Sequence, residues 1–188
     1  MEIKIIVACD NDWNIGKGGS LPWKHIAEDM KIFKELTTSG DRPAVVMGRK
    51  TWESLPTVHR PLCKRVNIVM SRTLNTIDDA LVAKSVDEAL QVAKESGIST
   101  LWVIGGEQIY YDFMGVATEV VITRIDDTFE GCDAKFPHSD LETFYSLDNE
   151  KGYTSSSYNF KLQRWTWSYG YPVKFSRAPV KAKTTTTN

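Results

Sequence analysis

The chain alternates apolar runs with amphipathic stretches. The opening "IKIIVACD" is a largely β-branched apolar run, the pattern of a strand buried on both faces. "RPAVVMGR", "VNIVMSR" and "TLWVIGG" repeat that pattern, each closing on a basic or glycine-bearing turn. Between them, Ile26, Met30 and Phe33 fall at helical spacing and predict a helix from about Lys24 to Leu36. "VDEALQVAKE" (86–95) predicts an amphipathic helix stopped by Gly97, and "EQIYYDFM" a short one after Gly105-Gly106. "NDWNIGKGGSLPW", rich in Gly and Asn, predicts a long loop. From "TEVVITRI" onward, "ETFYSLDNE", "YNFKLQRWTWSYG" and "YPVKFS" alternate apolar and polar positions, as half-exposed antiparallel strands do. Strands interleaved with helices, then strands alone, predict an α/β fold with a mostly parallel sheet and antiparallel C-terminal strands. No internal repeat occurs, and the Thr-rich end predicts disorder.

Composition narrows the class. At 188 residues the chain suits one domain, expected over 1–177 with a disordered tail over 178–188. Lys+Arg 23 against Asp+Glu 24 leaves no overall basic footprint for nucleic acid. No run approaches the ~20 apolar residues of a membrane span. Cys9, Cys63 and Cys132 have neither disulfide-framework nor zinc spacing, and they fit a reducing, cytoplasmic setting.

In open α/β sheets, ligands bind beyond the carboxyl ends of the strands. The residues there are the loop ending in Leu21-Pro22-Trp23, then Gly48-Arg49-Lys50-Thr51, Ser71-Arg72 and Gly105-Gly106-Glu107. Glycines at a helix start admit a phosphate to free N–H groups, and Arg49, Lys50 and Arg72 supply charge. Each motif alone also fits an ordinary turn with a solvated cation; together they favour a polyphosphate ligand. Neither G-x-G-x-x-G nor a Walker sequence is present. Asp29 lies on the apolar face of its helix, with Ile26 and Phe33. It is either an acid near a helix start turned to solvent, or a carboxylate in an apolar pocket gripping a cationic or amidine-like ligand. His25, His59 and His138 lack metal-ligand spacing, so no metal is expected. Trp102, Trp165 and Trp167 are expected in the core.

In order and separation, "IVACDNDWNIGKGGSLPW", "EDMKIFK", "VVMGRKTWESLP", "RPLCKRVNIVMSR", "VIGGEQIY", "ITRIDDTFEGCDAKFP" and "YNFKLQRW" resemble the dihydrofolate reductase family from Ile3 to about Phe175. The resemblance implies a three-layer fold with about four helices, and NADPH-dependent reduction of 7,8-dihydrofolate. By position, Asp29 resembles the acidic residue at the pterin, Thr123 its supporting threonine and Trp23 the tryptophan that holds a water. Main-chain carbonyls of Val7 (or Ile6) and Ile104 would meet the pterin; Met30, Phe33 and Leu62 would line the cleft; Arg65 would pair with the folate α-carboxylate. Ala8 and Ile15 would hold the nicotinamide carboxamide, with Leu21 over the ring. Gly48, Arg49, Lys50 and Thr51 would bind phosphate, Ser71 and Arg72 the 2′-phosphate, and Gly105, Gly106, Glu107, Gln108 and Ile109 the pyrophosphate.

The resemblance also implies antifolate binding and a monomer. It has departures: Cys63-Lys64 replaces a turn that usually carries glycine beside Arg65, and the Thr-rich tail has no counterpart. Two other functions fit the same fold, a reductase of another pterin or pyrimidine and a non-catalytic ligand-binding or structural homologue. Arg65 and the Trp23–Asp29 spacing favour a folate over the first. Intact Asp29, Thr123 and Trp23 favour turnover over the second.

Overall fold

A computed structural model describes residues 1–169. The apolar runs become the interior of one eight-stranded sheet. Its strands are β1 (Glu2–Cys9), β3 (Pro43–Gly48), β4 (Val66–Met70), β5 (Leu81–Ala83), β6 (Thr100–Val103), β7 (Glu119–Ile125), β9 (Tyr145–Thr154) and β10 (Asn159–Trp167). They lie in the order β5-β4-β3-β6-β1-β7-β10-β9. The first six pair in parallel, whereas β10 runs antiparallel to both β7 and β9. The switch follows the sequence pattern. The parallel strands bury both faces, and β9 alternates little because it is an exposed edge. Two short strands, β2 (Asn14–Gly16) and β8 (Ala134–Lys135), pair separately.

Alternate residues of β1 point to opposite sides. Ile5, Val7 and Cys9 join the larger core, where α3 (Val86–Glu95), α4 (Glu107–Phe113) and α5 (His138–Phe144) contribute Ala89, Ala93, Ile109, Tyr110, Phe113 and Leu141. Ile6 and Ala8 face the other layer, where α1 (Ala27–Thr37) and α2 (Arg49–Ser54) contribute Ile32, Phe33, Leu36 and Trp52. The result is three layers, helices on both faces of a mostly parallel sheet. No helix among the described residues is long and apolar enough to cross a membrane.

The described residues hold five α-helices, against about four expected, within the expected α/β fold. Several local expectations need correction. The first starts at Ala27, with Ile26 as its N-cap in extended conformation, not at Lys24. "ETF" continues α5 rather than opening a strand: Leu141 and Phe144 stand three apart, and the burial of Leu141 on a helix face outweighs the local alternation. The long loop contains β2. The three-residue edge strand β5 was too short and too exposed to announce itself. Trp102 is buried as expected, but Trp165 and Trp167 are only partly so, because β10 lies next to the edge. "YPVKFS" and the 178–188 tail, with the boundary at 177, lie outside the described residues.

Candidate active site

Because β4, β3, β6, β1 and β7 are parallel neighbours, their carboxyl ends form one row. Along that row stand Ser71 after β4, Gly48 closing β3, Gly105 after β6, Ala8 near the end of β1, and Thr123 in β7. Register pairs Gly48 with Met70 and Ala8 with Thr123. Residues scattered over 116 positions of sequence (8 to 123) are thereby aligned on one edge.

At one end of the row, Thr123 Oγ1 donates a 2.6 Å hydrogen bond to Asp29 Oδ1, joining β7 to the first turn of α1. Burial is the dominant influence on Asp29 and holds its carboxyl above the usual range. The Thr123 hydrogen bond and the charge of His25 oppose this in part. Of the two readings open in the sequence, the structure thus selects the desolvated carboxylate. Trp23 and Ile26 are buried nearby with Ile125 and Phe160, and partly buried Ala8 packs on that cluster. Next to it, Ile6, Met47 and Trp52 form an apolar floor against which Phe33, Leu62 and Ile104 pack half-buried. The Ile6 side chain joins this floor, whereas the Val7 side chain faces the opposite layer. The Ile6 carbonyl accepts a 3.0 Å hydrogen bond from the buried Tyr110 hydroxyl, a partner that sequence reasoning missed. Met30 does not line the buried face as its spacing suggested; it is 40% exposed. Leu21 is 55% exposed on the segment leading to Trp23.

Arg65 sits where the apolar floor meets solvent. Its guanidinium lies over the Phe33 ring at 5.5 Å, donates to Thr37 Oγ1, and donates through Nε to the Cys63 carbonyl at 3.1 Å. Lys64 takes φ 61°, the left-handed conformation a glycine would adopt freely. The turn before Arg65 thus keeps a glycine-type shape without the glycine, at roughly 1–2 kcal/mol.

At the other end, the turns after β3 and β6 touch. Gly48 N–H donates to the Gly105 carbonyl at 2.7 Å, which sets the starts of α2 and α4 side by side. Gly105 has φ 107°, and a Cβ there would come within 2.9 Å of the Tyr110 ring, so only glycine fits. Thr51 and Ile109 pack on Gly106 and Gly48, while Glu107 and Gln108 are exposed on the first turn of α4. Lys50 and Arg72 are exposed and have no ion pair among the described residues, whereas Arg49 is held by Glu53 at 2.7 Å. An exposed pair of that kind is worth only about 0.3–0.5 kcal/mol, so an incoming phosphate can take the guanidinium from Glu53. Ser71 is buried, and its Oγ accepts from Leu74 N–H at 3.1 Å. Among the described residues, no cluster of His, Cys, Asp and Glu has metal-holding geometry.

A third feature lies between the two ends. Asp10, directly after β1, is fully buried and accepts four hydrogen bonds. It was legible only as a polar residue in "CDNDWN", a run of Asn and Asp that favours local side-chain-to-backbone turns. Ile15 follows it in β2, at the edge of the larger core.

The dihydrofolate reductase family model matches residues 2–167. The chain is 37% identical over 165 residues to dihydrofolate reductase of Rattus norvegicus, a match spanning 81% of this chain and 88% of the rat protein. It is 36% identical over 162 residues to dihydrofolate reductase of Bos taurus, spanning 80% and 86%. It is 34% identical over 166 residues to viral dihydrofolate reductase of Saimiriine herpesvirus 2, spanning 82% and 78%. With a matching family model over nearly all the described residues and relatives 34–37% identical over most of their length, this chain belongs to the dihydrofolate reductase family.

Proposed function

We propose that the protein reduces 7,8-dihydrofolate to tetrahydrofolate with NADPH, as a cytoplasmic monomer. The observation that carries this reading is the Thr123–Asp29 hydrogen bond on the face of the sheet that holds the apolar residues Ile6, Trp23 and Phe33. A partly buried carboxylate able to accept from N–H donors matches the 2-amino group and N3 of a pterin. Thr123 orients it, and its charge favours a proton at N5 while the adjacent carbon is reduced. Trp23 closes the pocket and holds a water there. Val7 (or Ile6) and Ile104 offer main-chain carbonyls to the ring, and Phe33, Leu62 and Met30 line the pterin and aminobenzoyl cleft. Arg65 pairs with the α-carboxylate. Antifolates bind by offering Asp29 the same two donors.

The opposite end of the row fits a phosphate-bearing dinucleotide, since its donors are backbone amides beside glycine and two unpaired cations. Gly105, Gly106, Glu107, Gln108 and Ile109 would hold the pyrophosphate, and Gly48, Arg49, Lys50 and Thr51 a further phosphate contact. Ser71 and Arg72 would hold the 2′-phosphate, and Ala8 and Ile15 the carboxamide under Leu21. The dinucleotide supplies the hydride when bound. The protein's part is to orient two flat rings and exclude water.

An absorbance assay with dihydrofolate and NADPH tests the activity, and oxidation no faster than without protein refutes it. Arg72→Ala tests the cofactor. It should weaken NADPH more than NADH by about 1–3 kcal/mol, the worth of a charged hydrogen bond. Equal losses for both cofactors would remove Arg72 from the phosphate site.

A further inference from the structure

We propose that Asp10 is a positioning residue whose carboxylate staples the start of the 11–23 segment to the 126–133 turn, and so holds Ile15 and the following loop at the dinucleotide end of the site. The proposal rests on the functional reading above for its catalytic consequence, but its structural content stands on geometry alone. Asp10 Oδ1 accepts from the amides of Asp12 and Asn14, both at 2.9 Å. Oδ2 accepts from Asn14 Nδ2 at 2.8 Å and from the amide of Phe129 at 2.9 Å. Each oxygen thus takes two N–H groups, and one of the four donors comes from 119 residues away. Burial alone would raise this carboxyl. The hydrogen bonds from Asn14, Phe129 and Asp12 together outweigh it and hold the group below its usual range, in the charged form.

The staple locks a tight turn. Trp13 N–H donates to the Asp10 carbonyl at 3.1 Å, and Asp10 N–H to the Asn14 carbonyl at 3.2 Å. Trp13 is held at φ 63°, with the Arg124 guanidinium 3.8 Å above its ring and His138 stacked at 5.3 Å. Asn14 Nδ2 also reaches the Phe129 carbonyl at 3.4 Å, so Asn14 bridges the same two segments. Asn14 begins β2, and Ile15 is the next residue. An error at Asp10 is therefore passed within five positions to a residue assigned to the cofactor.

Asp10→Asn separates positioning from general stability. Both oxygens receive only donors, so an amide NH2 must face one of the two pairs and can keep at most half of the bonds. Hydrogen exchange should show protection at Asp12, Asn14 and Phe129 falling by about tenfold or more, with α3 and β4 unchanged. In equilibrium binding, NADPH should weaken by about tenfold, one lost net hydrogen bond or so, while folate changes less than about twofold. Turnover should fall with little change in the KM for dihydrofolate. Wild-type protection, or loss spread evenly over all core amides with both ligands weakened equally, overturns the proposal. If Asp10→Asn does not fold, Asn14→Ala carries the same test, removing the 2.8 Å bond to Asp10 together with the 3.4 Å bond to the Phe129 carbonyl and leaving the Phe129 amide's own bond to Asp10 to be read. Unchanged exchange at Phe129 in that variant also overturns the staple. A wild-type protein inactive on dihydrofolate would defeat the functional reading, while the exchange experiment would still decide the staple.

Discussion

Asp29 and Asp10 show how one residue type takes opposite roles. Asp29 has one protein hydrogen bond and is held above the usual carboxylate range by burial; Asp10 has four and is held below it. The signs for stability are opposite too. A raised folded-state pKa means that Asp29 weighs against folding once the pH rises past that value, and has no effect below the unfolded value near 3.8. Asp10 supports folding above the ordinary carboxylate range, and that support fades as the pH falls through its lowered value. Asp29→Asn should therefore raise the melting temperature at pH 7, with the gain vanishing below about pH 4. The same variant should lose about 10²–10⁴ in turnover at neutral pH, because the amide lacks the charge that favours a proton at N5. The deficit should narrow at low pH, where more substrate is already protonated. Melting curves and turnover measured over one pH series check both. Turnover within about threefold of wild type at pH 7 would make Asp29 only structural.

At the scale of elements, the one helix with a side-chain N-cap among the described residues, α3, carries no site residue. Ser85 Oγ accepts from Glu88 N–H at 3.2 Å, and the Glu88 carboxylate reaches back to Lys84 N–H at 2.8 Å. In contrast, α2 and α4 begin at glycines, and no side chain caps them. Ser85→Ala should cost about 1 kcal/mol in urea unfolding and leave turnover unchanged. The amphipathic period of 86–95 made α3 legible in the sequence, whereas α5 was mistaken in part for a strand. Its seven residues span two turns, too few for the 3.6 period to stand out against alternation.

For the whole molecule, the question is how an antiparallel ribbon is joined to a parallel sheet. Glu119 in β7 bonds Lys4 of β1 at 3.0 Å and Arg164 of β10 at 2.5 Å, bridging three strands. Tyr145, at the start of β9, shares its buried hydroxyl between the carbonyls of Met114 and Ala117 at 2.7 and 2.9 Å. That contact ties the outer ribbon to the segment after α4. Tyr145→Phe keeps the ring packed on Trp167 but leaves two buried carbonyls without that donor. It should lower unfolding stability by about 1–2 kcal/mol, read from a denaturant midpoint, with cofactor affinity intact.

Local patterns were enough to announce the parallel strands other than β5, the amphipathic helix α3 and the glycine-bearing turns after β3 and β6. Those features depend on period, β-branching and backbone freedom, which neighbouring residues set. Lys64 shows the limit of a motif: the missing glycine in "RPLCKR" suggested a changed turn, yet the backbone adopts the left-handed shape regardless, held by Arg65 on Thr37, Cys63 and Phe33. The order of the strands was not available to local pattern, and that order is what aligns Ser71, Gly48, Gly105, Ala8 and Thr123 on one edge. Nor was the environment of Asp29 or Asp10, since each depends on a partner far along the chain, Thr123 for one and Phe129 for the other. Whether a carboxylate is desolvated or caged is settled by what the fold brings against it, because burial and hydrogen bonds act through space and not along the chain.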